Sequence, residues 1–180
     1  MNDLAPRRMA ATTTPPTSLG KDLLLLLIKI VAIATALVLI FTLLFGIVRY
    51  QDPSMTPAVK DGDLVLYDRH ARSGYQAQDA VVVEFEGVQQ VRRVVAIAGD
   101  VVDIASGGLV VNGALQQEPQ IHEPTGRYIG GVSFPLTVPP GHVFVLGDAR
   151  ATATDSRVYG CVKAEDTLGK VMLVIRRRGI

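Results

Sequence analysis

Gln51-Asp52-Pro53-Ser54-Met55-Thr56-Pro57 divides this chain into two unlike halves. It begins just after an apolar run that ends at Val48, and short β-branched runs separated by turn residues follow it. Proline fixes its own φ at about −65° and biases the preceding residue toward extended backbone. Pro53 and Pro57 therefore predict an extended Asp52 and Thr56 and a stiff, non-helical display of Ser54. Such a display suits a nucleophile held at a membrane surface. Ser, Pro and Thr are also ordinary linker residues, so the flanking sequence has to decide.

On the N-terminal side, Ile30 to Val48 is 19 residues without a charge, enough to cross a hydrocarbon core of about 30 Å. The expected organisation is an unstructured cytoplasmic segment over 1–20, a transmembrane helix over 21–49 and one extracytoplasmic domain over 50–180. A cleaved leader would have a shorter apolar core and a small-x-small site, whereas Arg49-Tyr50-Gln51-Asp52-Pro53 follows here. Arg7, Arg8, Lys21 and Lys29 precede the span and Arg49 closely follows it, which places the N-terminus in the cytoplasm and the domain outside the cell membrane. Lys29 is positioned to snorkel to the inner interface and Tyr50 to anchor in the outer headgroup region.

On the C-terminal side, Leu64–Tyr67, Ala80–Phe85, Val94–Ala98, Asp100–Ile104, Leu109–Val111, His142–Leu146 and Val171–Ile175 read as strands. Asn112-Gly113 after Val111 is a strong hairpin signal, because both central residues of a type I′ turn need positive φ. Residues 114–140, rich in Gln, Pro and Gly, predict an irregular excursion. The expected fold is mostly β, an antiparallel domain behind a single N-terminal membrane helix. The 180 residues are 48% hydrophobic with a formal net charge of +1, which offers no case for nucleic acid. The lone Cys161 excludes an intrachain disulfide framework and a cysteine-built zinc site. His70, His122 and His142 have no metal-ligand spacing, so no metal or cofactor is expected. Arg176-Arg177-Arg178 reads as a solvated tail that can meet anionic headgroups.

Four stretches are richer in polar and glycine residues than packing requires: Ser54-Met55-Thr56-Pro57, Gly62-Asp63-Leu64-Val65, Arg92 to Asp100, and Gly147-Asp148-Ala149-Arg150 with Asp155-Ser156-Arg157. In this order, from about Tyr50 to Lys170, they resemble the motifs of type I signal peptidases. The resemblance implies a membrane-anchored serine endopeptidase that removes signal peptides from exported preproteins, with Ser54 as nucleophile. Met55 lies beside it and the pocket. Arg93, Asp148, Arg150, Asp155 and Arg157 take supporting positions.

The general base of that family is a neutral lysine, and the matching position here is Arg92. Guanidinium stays protonated and has no lone pair to offer, so Arg92 cannot serve as the base. Asp52 stands beside the oxyanion hole, where the family has Ser or Gly, and a carboxylate there opposes a developing negative charge. Ala153 replaces the serine that orients the lysine. Asp52 and Arg92 are expected to form an ion pair across the site. Two functions remain open on this reading. One is an active peptidase with its base drawn from His70, His122, His142, Lys60 or Lys163. The other is a non-catalytic relative, of the kind associated with surface-pilus assembly, that holds an extended segment of an exported partner.

Overall fold

The computed structural model describes residues 19–176. The expected unstructured segment lies outside the described residues, except for Leu19 and Gly20, which belong to the first helix; Arg177 and Arg178 of the basic tail also lie outside the described residues. Helix α1 spans Leu19–Leu44 and buries none of its residues within the protein. It is long and apolar enough to cross a membrane. The chain up to Ile40 and the chain from Phe41 onward are two separate compact units.

The expectation that the helix continues to residue 49 is corrected. Phe45–Arg49 is strand β1, paired antiparallel with β2 (Leu64–Asp68) in the register Gly46↔Tyr67 and Val48↔Val65. Gly46 makes this possible, because a Cβ there would stand 2.1 Å from Cζ of Tyr67. The uncharged helical stretch Ile30–Leu44 is then roughly 22 Å long at 1.5 Å per residue. That is short of the hydrocarbon thickness, so a crossing of about 20 residues ending at Leu44 carries Lys29 inside the span.

The remaining strands are β3 (Ala80–Phe85), β4 (Val88–Ile97), β5 (Val101–Ala105), β6 (Gly108–Val111), β7 (Ala114–Leu115), β8 (Leu136–Thr137), β9 (His142–Leu146), β10 (Val162–Lys163) and β11 (Gly169–Ile175). A short helix α2, Ser156–Tyr159, lies between β9 and β10. Seven strands form one sheet in the order β1-β2-β11-β3-β4-β9-β10, and four form a second, β7-β6-β5-β8. All the pairings are antiparallel. The Asn112-Gly113 turn between β6 and β7 has φ of 53° and 79°, as the hairpin signal requires.

β3 shows why the large sheet is the core. Val81, Val82 and Val83 are all buried, so both faces of the strand are covered. Val82 joins Tyr50, Met55, Val59, Val65, Tyr67 and Val91 on one side. Val81 and Val83 join Tyr75, Val94, Val143 and Val145 on the other. A third cluster, including Val95, Val102, Leu109, Phe144 and Leu146, ties the two sheets together. β4 runs through the middle of this arrangement and carries Arg92 opposite Val81 and Arg93 opposite Leu146.

Candidate active site

Ser54 lies in a loop whose two ends are fastened by backbone bonds, Tyr50 N to Asp63 O and Gly62 N to Tyr50 O, both 2.8 Å. Asp52 and Thr56 are extended, as their place before proline predicts, but Pro53–Met55 between them forms one turn of 3-10 helix. The expected non-helical display is corrected to that extent. The reason is Asp52, which caps the turn. Its Oδ1 accepts Ser54 N at 2.9 Å and also accepts the Ser54 hydroxyl. Ser54 is buried at 5% exposure.

The second carboxylate oxygen faces β4. Arg92 Nη1 and Nη2 donate to Asp52 Oδ2 at 3.1 and 3.2 Å, so the expected ion pair is present. The other donors are taken as well: Nε and Nη2 reach Thr154 O at 3.0 and 2.8 Å, and Nη1 reaches Val91 O at 2.6 Å. A guanidinium has five N–H groups and a carboxylate about four acceptor sites. All are occupied here, which is how a cation only 1% exposed can be accommodated. Burial alone would raise the Asp52 pKa. The hydrogen bonds from Ser54 and the charge and hydrogen bonds of Arg92 outweigh it and hold the carboxyl below its usual value.

Two tyrosines complete the surroundings, and the sequence reading did not assign either to the site. Tyr50, expected as a headgroup anchor, is 1% exposed and packs in the core. Tyr50 Oη and Tyr159 Oη are buried without hydrogen-bond partners. Burial raises the pKa of both phenols, and the nearby Arg92 charge lowers it by less.

The Gly147–Arg157 segment is built against the serine turn. Ala149 N donates to Ser54 O at 2.9 Å. A Cβ on Gly147 would stand 2.3 Å from Cβ of Ala153 and 2.8 Å from Ser54 O, so only glycine fits between them. This brings Ala153, itself fully buried, next to both Ser54 and Thr154, the residue whose carbonyl holds Arg92. The segment is held by three ion pairs: Arg93–Asp148 at 2.6 Å, Arg150–Glu118 at 2.6 Å and Arg157–Asp155 at 2.8 Å. Asp155 Oδ2 also accepts Gly147 N.

The sequence reading did not place Glu118 in this network. The excursion is fastened to the segment through it and through Tyr128, whose hydroxyl donates to Ala153 O at 2.9 Å and whose ring lies 4.7 Å from the Arg157 guanidinium. Met55 is fully buried against Tyr50, Val59 and Val91, which makes it a core residue beneath the turn. Among the described residues, the Ser54 hydroxyl hydrogen-bonds to Asp52, and no His or Lys side chain does so. His70 sits 4.0 Å from Asp68, and His142 Nδ1 lies 2.9 Å from Pro140 O.

The model of the family described as signal peptidase, peptidase S26, matches residues 23–176. This chain belongs to that family. Signal peptidase IB of Staphylococcus aureus (strain Mu50) is 31% identical over 163 residues, covering 79% of this chain and 85% of its own length. Signal peptidase I of Bacillus caldolyticus is 28% identical over 134 residues, 67% of this chain and 74% of that protein. A crystal structure of a signal peptidase I from Enterococcus faecalis superposes with a TM-score of 0.48 at 25% identity, covering 56% of this chain and 98% of that one. The arrangement around Ser54 has one physical feature that bears on its chemistry. Among the described residues, its two charged groups, Asp52 and Arg92, satisfy each other, the Ser54 hydroxyl and the surrounding backbone.

Proposed function

We propose that this signal peptidase family protein is anchored in the cell membrane and holds an extended segment of an exported polypeptide without cutting it. The observation that carries the reading is the closed Arg92–Asp52–Ser54 network. Attack by Ser54 needs a base to take its proton, and a base works best with a pKa near the working pH. Among the described residues, the acceptor of the Ser54 hydroxyl is Asp52, held below the ordinary carboxylate range by Ser54 and Arg92. The oxyanion side is also closed. The backbone N–H of Ser54, beside the position where an oxyanion would form, is committed to Asp52 at 2.9 Å. Arg92, at the position that resembles the family's lysine, has no lone pair.

The retained family scaffold supports the binding half of the proposal, since holding a peptide needs the shape and no proton transfer. Helix α1 and the positive charges ahead of it support an N-terminus in the cytoplasm and a β domain outside. A topology test is a single cysteine at position 120 in the inserted protein. We expect labelling by an impermeant external reagent, and protection would reverse the orientation.

The experiment for activity is cleavage of a preprotein carrying Ala-x-Ala by the purified full chain in detergent, with Ser54→Ala as control. We expect no Ser54-dependent cleavage. A second reading rests on the Ser54 hydroxyl donating to Asp52, which would make Asp52 a weak base. It requires Ser54-dependent cleavage that Asp52→Asn abolishes, and that outcome would overturn the binding-only function.

A further inference from the structure

A cleft of about 460 Å³ opens beside the serine turn, on the side where the chain leaves it. Its lining includes Pro57, Lys60, His122, Asp148 and Arg176. Asp148 connects it to the site, because the adjoining Gly147 and Ala149 lie against Ser54. Pro57 is three residues beyond Ser54, so a chain lying along the turn would meet the cleft within roughly 10 Å, about three extended residues.

The charge of this cleft is one-sided. Its one carboxylate, Asp148, is neutralised by Arg93, whose Nε and Nη2 donate to it at 2.8 and 2.6 Å. The acids of the adjoining excursion are committed elsewhere: Glu118 to Arg150, and Glu123 to the backbone N of Ala151 at 2.9 Å. Among the described residues, the side chains of Lys60, His122 and Arg176 have no carboxylate partner, although the backbone N of Lys60 donates to Asp63 Oδ2 at 2.9 Å. Arg176 only reaches the carbonyls of Pro57 and Ala58, at 3.3 and 3.5 Å, which holds its guanidinium at the cleft.

From this we propose that the cleft formed by Lys60, His122 and Arg176 receives acidic side chains of the extended polypeptide, about three residues from the one opposite Ser54. The inference rests on the binding function proposed above and adds a charge specificity to it. Two carboxylates facing Lys60 and Arg176 form exposed ion pairs. Each is worth about a two- to fivefold change in affinity and is weakened by salt.

The test is fluorescence anisotropy on the full chain in neutral detergent with labelled extended peptides of one sequence. A pair of Glu, Gln or Lys residues is placed three positions before or after the central Ala. In one of the two placements, the Glu peptide should bind roughly 4- to 25-fold more tightly than the Gln peptide and the Lys peptide more weakly. The preference should shrink at high salt and reverse in Lys60→Glu/Arg176→Glu. Both side chains are exposed, and the thermal melt of the variant checks that it is folded.

Equal binding of the three peptides in both placements would overturn the inference while leaving the binding function standing. Survival of the preference in the double variant would overturn the assignment to this cleft. Indifference to peptide charge, combined with weaker binding of the variant to vesicles containing an anionic lipid, would make the cleft a headgroup site and also overturn it. Failure of every peptide to bind would remove the binding function, and this specificity with it.

Discussion

Arg92 and Arg93 are neighbours on one strand, each ends on a carboxylate, and the two pairs serve different ends. Successive side chains on a strand point to opposite faces, so Arg93 reaches Asp148 while Arg92 reaches Asp52. Arg93–Asp148 belongs with Arg150–Glu118 and Arg157–Asp155, which tie the Gly147–Arg157 segment to β4, to the excursion and to itself. Arg92–Asp52 joins β4 directly to the serine turn, 40 residues away in the chain. It lies next to the Ser54 hydroxyl and engages Asp52, which accepts that hydroxyl. The scaffold side shows arginine holding a loop, and the other side shows arginine holding the carboxylate that accepts the Ser54 hydroxyl.

The comparison is sharpened most by rebuilding the closed side. Arg92→Lys alone would leave an ammonium facing Asp52, which stabilises the charged form and opposes base action. Together with Asp52→Ser and Ala153→Ser, the repulsive carboxylate is gone, Ser54 N is released and a hydroxyl stands ready to orient the lysine. The triple variant is expected to gain Ser54-dependent preprotein cleavage by a factor of about 10² or more, the scale of general base catalysis. The gain should exceed the product of the separate ones, because groups acting as a unit are non-additive. Single-turnover cleavage assays compare the parent, the three single variants and the triple variant. Full activity from Arg92→Lys alone would show that Asp52 does not close the site.

On the scaffold side, Asp155→Ala leaves the Arg157 guanidinium, 2% exposed, without its counter-charge and removes the acceptor for Gly147 N. Breaking a buried pair in this way costs about 3–5 kcal/mol. Urea unfolding followed by the fluorescence of the β domain is the measurement. A loss below about 1 kcal/mol would mean that the segment is held chiefly by its other two ion pairs.

The division between these regions was partly legible in the residues. Asp52, Arg92 and Ala153 stood out because they depart from a pattern whose other members are present, and opposite charges at two of those positions predict the ion pair. Strand β1 was not legible. Phe45-Gly46-Ile47-Val48 continues an apolar run without a charge, and only the partner ring of Tyr67 shows why Gly46 turns it into a sheet edge. Tyr50 was misread for a related reason, since an aromatic at the end of an apolar run has the same composition whether it faces headgroups or a core. Glu118 lies in a Gln-Gln-Glu-Pro stretch that reads as solvated loop, and its role depends on Arg150, 32 residues away.

Within the closed site, the two partners are not equivalent. Asp52→Asn strands a guanidinium that is 1% exposed, whereas Arg92→Met strands a carboxylate that is 23% exposed and open to water. The unpaired buried charge is the costlier one. Asp52→Asn should therefore destabilise by about 2–3 kcal/mol and Arg92→Met by about 1 kcal/mol, with the methionine stem keeping much of the packing. Urea midpoints of the two variants give the order, and a reversed order would place the stability of the pair in Arg92 packing instead of in charge.

The smallest expected effect is a dependence on acid. The pKa of Asp52 in the folded protein lies below the ordinary 3.8, so the unfolded chain binds the proton more readily than the folded one. The stability contributed by the Asp52 charge is then fully present above about pH 4, the carboxyl value of an unfolded chain. It is lost as pH falls through the lowered folded value. Asp52→Asn has no such proton to take up. The difference in stability between the parent protein and Asp52→Asn should accordingly be constant from neutral pH down to about pH 4 and shrink below it. Other carboxylates titrate equally in both proteins and cancel in the difference. A gap that already narrows near neutral pH would place the Asp52 pKa above the ordinary carboxylate value. Asp52 would then be a plausible proton acceptor for Ser54, and the closed site would be open to catalysis after all.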